Sequence, residues 1–185
     1  MTTGTTSGAT ASTIRTGAHW IVFVMTAGLI LVFDQLTKAW LVANLSPGEV
    51  VSVAGDVIRL IFSQNSGALF GLFRDNAVLF GIVSLGVVGF IVAYHARAGR
   101  SLYLSIALGL LLGGALGNLT DRLRLGYVID FVDLGIGGFR WYTFNVADAA
   151  ISTAIVMLVA AALFPRLAGL DGKPTESSTE KPSDG

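Results

Sequence analysis

Four apolar runs, at 20–33, 77–94, 102–117 and 146–164, leave this chain few ways to fold. With its polar flank included, the first covers 18–43, and a helix needs ~20 residues to cross a hydrocarbon core. Lipid offers no partner to backbone N–H and C=O groups, so a crossing segment must satisfy its own, which a helix does. Of 185 residues, 53% are hydrophobic and 13% charged, and the mean hydropathy is +0.71. A soluble domain carries about 25% charged residues. The expected class is therefore a polytopic membrane protein, all-α with a small β element. Four transmembrane helices would carry a β-rich extracytoplasmic segment between helices 1 and 2.

The remaining chain divides around those runs. Residues 1–17, mostly Thr, Ser, Gly and Ala, read as a disordered leader, and 166–185 as a disordered cytoplasmic tail. The membrane domain is 18–165, with extracytoplasmic segments at about 45–75 and 123–144. In the first of these, Ser46-Pro47-Gly48 signals a turn, and the β-branched stretches 49–53 and 57–63 predict short strands joined at Gly55-Asp56. Pro165 and Arg166 stop the last run. Basic residues are shared evenly between the two sides, so the charge count alone does not orient the chain. The tight basic loop at 95–100 points to cytoplasmic termini.

Composition also excludes chemistry. A net charge of zero argues against nucleic acid as a partner. The absence of cysteine removes disulfides, thiolate metal sites and a cysteine nucleophile. The two histidines, His19 and His95, lie at the edges of apolar runs and read as interfacial residues, so no metal site is expected. Carboxylates, amides, hydroxyls, Lys and Arg are what remain.

Two polar clusters interrupt the apolar runs. Ser105, Gly109, Gly113 and Gly117 recur every fourth residue, a smooth ridge that permits close helix approach. The same helix, continued, places Asn118, Asp121 and Arg122 on one face, with Arg122 a neighbouring partner for Asp121. Asp34 and Lys38 form an i, i+4 pair in the favourable order. Lys38 would snorkel to the interface, beside Trp40 as an anchor.

Asp34, Asp121, Asp130 and Asp148 fall on the same side of the membrane, next to apolar helix ends. Asp148 opens the last run, where the helix macrodipole favours an acid, with Asn145 on the same face. Asp130 is embedded in Val128-Ile129-Asp130-Phe131. Two carboxylates brought together there would repel, keeping one protonated beside one ionised, and such a pair activates water while polarising a carbonyl. Spacing does not say which two meet. A proton or cation pathway on the same aspartates, and a serine–lysine peptidase using Ser63 or Ser66 with Lys38, are the competing readings.

Five blocks resolve that choice by resemblance. Asp34-Gln35-Leu36-Thr37-Lys38, Asn65-Ser66-Gly67-Ala68, Gly117-Asn118-Leu119-Thr120-Asp121-Arg122, 126–131 and Phe144-Asn145-Val146-Ala147-Asp148 occur in this order. Together they resemble the lipoprotein signal peptidases (signal peptidase II), bacterial membrane aspartic peptidases. The resemblance implies cleavage of the signal peptide from a diacylglyceryl-prolipoprotein before its lipidated cysteine. It implies Asp130 and Asp148 as the catalytic pair, and Asn65, Asn118, Arg122 and Asn145 as substrate-binding residues. Asp34, Lys38 and Asp121 would support the site, alongside Gly113 and Gly117 of the ridge. Neither cofactor nor metal is implied. Partners would be the lipidated prolipoprotein and membrane lipid, the protein a monomer in the bacterial cytoplasmic membrane with its site toward the extracytoplasmic face. Leu69 before Phe70 departs from the small residue the family often has there.

Overall fold

The computed structural model describes residues 7–66, 77–98 and 101–169. In chain order they form α1 (Ser7–Asn44), β1 (Val50–Ala54), β2 (Ile58–Asn65), α2 (Ala77–Ala98), α3 (Leu102–Leu125), β3 (Val128–Ile136), β4 (Phe139–Arg140) and α4 (Val146–Leu163). A 3₁₀ turn, Pro165–Ala168, ends the described chain. Among the described residues, three segments are long and apolar enough to cross a membrane: Gly17–Asn44, Leu102–Leu125 and Val146–Leu163. The apolar part of α2, Gly81–Arg97, is shorter than that, so the expected fourth span does not meet the same standard.

The bundle is organised around α3, which packs against α1, α2 and α4. In α3 61% of the membrane window is buried, against 17% in α1 and 22% in α4, so α3 is the central helix. The usual polarity is inverted. Ile21, Val24, Leu29 and Phe33 of α1 face outward, while Asp34 and Lys38 of the same helix are buried. Apolar side chains suit lipid, and polar groups in such a bundle turn inward to find one another.

The ridge on α3 meets α1. A Cβ on Gly109 would lie 2.8 Å from the Phe23 carbonyl oxygen, and one on Gly113 would lie 2.6 Å from that of Ala27. At Gly117 the obstacle would be the Asp34 carboxylate, at 2.6 Å. Gly114, on an adjacent face, meets the Ala147 carbonyl oxygen at 2.5 Å, so one glycine pair joins α3 to α1 and α4 together. Hydrogen at these positions is what lets three backbones converge on the polar end of α3.

The sheet lies beyond that end. Its order is β1-β2-β3-β4, antiparallel throughout. The strands expected between helices 1 and 2 are present, joined at Gly55 with φ +56°. The segment expected only as a second loop supplies the other half of the sheet. β3 inserts beside β2 because Ile129 and Phe131, on either side of Asp130, cover the cluster Leu41, Leu45, Phe62. Gly126, at φ 79°, ends α3 in the left-handed conformation and turns the chain straight into β3.

Several expectations change. The helix α1 starts at Ser7, so 7–17 is helical rather than a disordered leader; extending a formed helix is cheap compared with nucleating one. At the other end, 166–169 is a turn with Ala168 buried on Leu104 and Ala161, not the start of a free tail. His95 is no interfacial residue. Its ring is buried, stacked on Phe23 at 4.1 Å and set against Trp20, with Nε2 3.2 Å from Ser105 Oγ. The block from Gly67, including Leu69, and the tail from 170 lie outside the described residues.

The glycine contacts make a direct prediction. Gly113→Ala drives a methyl into the α1 backbone and should destabilise by about 1–3 kcal/mol, as overpacking does. Gly86→Ala meets nothing within 4 Å and should be silent. Thermal unfolding of both variants in one detergent checks the contrast; equal melting temperatures would contradict it.

Candidate active site

Lys38 is the first fixed point. Its Nζ lies 2.8 Å from Asp34 Oδ2 on its own helix and 2.8 Å from Asp121 Oδ2 on α3, and it donates to Asn118 Oδ1 at 3.2 Å. Lysine, Asp34 and Asp121 are all buried, so Lys38 does not snorkel. Asp121 takes Lys38 as its ion partner, where the sequence offered neighbouring Arg122. The two carboxylates spend their other lone pairs on backbone. Asp34 Oδ1 accepts from the Ala147 N–H at 2.9 Å, and Asp121 Oδ2 from the Ile129 N–H at 3.2 Å. One ion cluster thereby binds α1, α3, β3 and the start of α4.

Gln35, to which the sequence reading gave no role, closes this cluster. Its Nε2 reaches Asp121 Oδ1 at 3.0 Å, Asp34 Oδ2 at 3.2 Å and the Gly117 carbonyl oxygen at 3.3 Å. The only signal in the sequence was its place directly after Asp34.

From Lys38 the hydrogen bonds run outward in one sense. A lysine can only donate, so Asn118 must turn its oxygen to Lys38 and its nitrogen away. That nitrogen donates to Asp148 Oδ1 at 2.8 Å. Asn145 is fixed in the same manner. Its oxygen accepts from the Asp148 N–H at 2.9 Å, in a capping box completed by Asn145 N–H to Asp148 Oδ2 at 3.3 Å. Its nitrogen therefore points to Asp130 Oδ1 at 2.7 Å, within reach also of Asn118 Oδ1 and the Ile129 carbonyl oxygen, both at 3.2 Å. Asn65, from β2, donates to the other oxygen of Asp130 at 2.9 Å.

Asp130 and Asp148 are thus brought together from β3 and α4, linked through Asn145. Burial pushes the Asp130 carboxyl up to about 6, aided by the charge of Asp148 and opposed by the bonds from Asn65 and Asn145. Arg122, half-buried on α3, donates to the Asn118 carbonyl oxygen at 3.3 Å and lies within electrostatic reach of Asp148 and Asp130. The structure therefore gathers Asn65, Asn118, Arg122, Asn145, Asp130 and Asp148 around one point, with Asp34, Lys38 and Asp121 beneath. Gly113 and Gly117 sit farther along α3, in its packing surface. Ser63 lies opposite Asp130 in the sheet register, but the three donors of Lys38 are taken by Asp34, Asp121 and Asn118. A serine–lysine pair has no free amine to work with.

With this geometry in place, similarity to known proteins becomes informative. The family model described as Signal peptidase (SPase) II matches residues 26–164. The chain belongs to the signal peptidase II family. A lipoprotein signal peptidase of Moorella thermoacetica is 40% identical over 152 residues, covering 82% of this chain and 97% of that protein. One from Leifsonia xyli is 39% identical over 159 residues, covering 83% and 71%. The fold resembles a bacterial membrane enzyme solved by the in meso method at 2.3 Å, with a TM-score of 0.72 and 26% identity over 88% of this chain and 94% of that one. Family membership makes this signal peptidase II relative a peptidase and a multi-pass membrane protein, as the sequence blocks implied.

The ion cluster supplies a stability test of this family member. Lys38→Met leaves Asp34 and Asp121 buried without their cation, a change that typically costs about 3–5 kcal/mol. Neutralising all three positions together, with Asp34→Asn and Asp121→Asn added, should recover much of that loss. Detergent melting curves of the single and triple variants check it; a single variant as stable as wild type would contradict it.

Proposed function

We propose that this protein is an aspartic endopeptidase that removes the signal peptide from diacylglyceryl-prolipoproteins, cutting just before the lipidated cysteine. One observation carries the reading. Asp130 and Asp148, from different elements, are oriented by the same asparagine at the end of the membrane helices. The lipoprotein signal peptidases similar to this chain supply the substrate class.

In this mechanism the pair carries one proton between its two carboxyl groups, the state that repulsion favours when two acids share a site. The ionised carboxylate takes a proton from water as the water oxygen bonds to the scissile carbonyl carbon. The protonated partner gives its proton to the carbonyl oxygen, now bearing the former π electrons. When the tetrahedral species collapses, the C–N bond breaks, its electrons take up the proton that the first carboxyl accepted from water, and one hydroxyl returns its proton to the partner carboxylate as the C=O bond re-forms. Asn65 and Asn145 hold Asp130 in place through both steps, and Arg122 offsets negative charge. Asp130→Asn and Asp148→Asn should each lower cleavage of a lipidated prolipoprotein in detergent by at least about 100-fold while leaving insertion intact. Turnover near wild type by either would contradict the assignment.

The pH dependence follows from Asp130. Its carboxyl, pushed up to about 6, loses the shared proton as pH rises through that value. The kcat/KM of the free enzyme should therefore fall on the alkaline side with an apparent pKa near 6. Substrate binding excludes water and should move the corresponding limb of kcat to higher pH. A kcat/KM that stays flat well above neutrality would contradict this.

α2 (Ala77–Ala98) serves as the fourth membrane segment in this proposal, with its C-terminal end, the basic loop at 95–100 and both chain termini on the cytoplasmic side. The sheet and the aspartates then face outward, where lipoproteins are processed. Arg97→Cys and Gly138→Cys place single thiols at exposed or open positions of a cysteine-free chain. An impermeant thiol reagent should label Gly138→Cys in intact cells and Arg97→Cys only after lysis. The reverse pattern would invert the orientation.

A further inference from the structure

The sheet carries a second charged cluster that the dyad does not use. Asp133 of β3 lies between two guanidinium groups. Arg59 of β2 donates to its Oδ2 from Nε at 2.8 Å and Nη2 at 2.6 Å. Arg140 of β4 donates to Oδ1 from Nε at 3.1 Å, with Nη2 2.8 Å from Oδ2. Both arginines also reach Asp56 in the β1–β2 turn. The carboxylate is buried, and the hydrogen bond from Arg140, then that from Arg59, holds it below the usual carboxylate range. One acid ties three strands, three residues beyond Asp130 on the same strand.

The ladder between β2 and β3 is irregular between these two acids. Ser63 pairs with Asp130, but Leu60 pairs with Val132, so β2 holds one residue more than β3 across this step. Two regular ladders would remove the bulge. Keeping Ser63 opposite Asp130 would set Leu60 against Asp133 and Arg59 against Leu134, which breaks the Arg59–Asp133 pairing. Keeping Arg59 opposite Asp133 would set Phe62 against Asp130 and Asn65 against Tyr127, which takes Asn65 away from Asp130. Only the bulged register satisfies both. It also frees the Phe131 N–H, which turns to the Phe144 carbonyl oxygen at 3.1 Å, joined by the Val132 N–H at 2.8 Å. Phe144 directly precedes Asn145. The bulge thus links the strand bearing Asp130 to the helix start bearing Asp148.

We propose that Asp133, clasped by Arg59 and Arg140, holds β3 in its bulged register and so aims Asp130 at the reacting bond. Bulges commonly re-aim a side chain beside an active site. A clasp of charged hydrogen bonds supplies the selectivity, because a one-residue slip reverses the face of every side chain. Asp133 is then a positioning residue of the site, and this inference rests on the reading of Asp130 and Asp148 as the catalytic pair.

Asp133→Asn should lower kcat on a lipidated prolipoprotein by about 10- to 100-fold, the scale of a misplacement near 1 Å, with KM little changed. The groups facing Asp130 are Asp148 from α4, Lys38 from α1 and Arg122 from α3, with Asn65 and Asn145 bonded to it. None is altered by the substitution. A loosened strand admits water to Asp130, so the alkaline limb of kcat/KM should move to lower pH. A purely structural role would lower the amount of active enzyme without moving that limb.

The register itself can be locked. Leu60 and Val132 are opposite one another in the bulged ladder but not in the regular ladder that loss of the Arg59–Asp133 pairing would permit, where Leu60 faces residue 133. Cα atoms across an antiparallel pair are about 4.5–5.5 Å apart, within disulfide range. Leu60→Cys with Val132→Cys, added to Asp133→Asn, should restore most of kcat when oxidised and lose it again on reduction. A disulfide that forms without restoring kcat would overturn the proposal, as would Asp133→Asn with wild-type kcat and pH profile. Should Asp133→Asn fail to insert, Arg140→Gln keeps the Arg59 pairing and should give a smaller loss with the same shift of the limb; a wild-type profile there also overturns it. Asp130→Asn assayed alongside separates the two levels. Activity in that variant refutes the site reading, whereas an inactive Asp130→Asn beside a fully active Asp133→Asn refutes only the clasp.

Discussion

A lysine ammonium sealed between two carboxylates, away from water, holds the rest of this structure in place. Lys38 binds Asp34 and Asp121 at 2.8 Å each, and the three are buried. Such a cluster is weak evidence for net stability, because desolvating the charges offsets much of their attraction. Its value here is geometric. The outer lone pairs of the carboxylates accept N–H groups of Ala147 and Ile129, which lie beside Asp148 and Asp130 in the chain. Each acid of the ion cluster therefore anchors the backbone that carries one acid of the dyad. The glycines of α3 make this possible, since a methyl at Gly117 would occupy the place of the Asp34 carboxylate.

The dyad is held differently, by amides in place of charges. A lysine or arginine bonded directly to Asp130 would lock its carboxylate in the ionised form. Asn65 and Asn145 instead donate neutral hydrogen bonds, while burial raises the affinity of Asp130 for a proton to about 6. Neutral donors fix direction and leave the proton free to move. Apart from Arg122, which lies within electrostatic reach of both acids, the full charges stand one layer away, at Lys38 below and at the Arg59–Asp133–Arg140 clasp along the sheet, where they set geometry without quenching the acids.

Much of this was legible in the sequence, and the reasons it was are physical. Apolar runs announced the helices, three of them of membrane length among the described residues, and a four-residue period of small residues on α3 announced a close helix contact, which α1 makes at Gly109, Gly113 and Gly117. The turn at Gly55 and the β-branched stretches around it announced β1 and β2. The site residues came from ordered blocks rather than from spacing. Lys38 was expected at the surface because a lone lysine on an apolar helix snorkels, and its partner Asp121 is far off in the chain. The strands β3 and β4 were read as a loop, since their polar positions, Asp130 and Asp133, are satisfied only by residues of β2, β4 and α4. Long-range partners of this kind leave no local pattern.

The central claim is that Asp130 and Asp148 form one proton-sharing unit at the end of the membrane helices. Infrared difference spectroscopy with isotope-labelled aspartate, recorded across pH on the detergent-solubilised protein, tests it most directly. The account predicts a protonated carboxyl band that titrates near pH 6 and is altered by substituting either member of the pair, since Asp130 senses the charge of Asp148. Absence of any such band, or a band changed by Asp130→Asn but indifferent to Asp148→Asn, would contradict it.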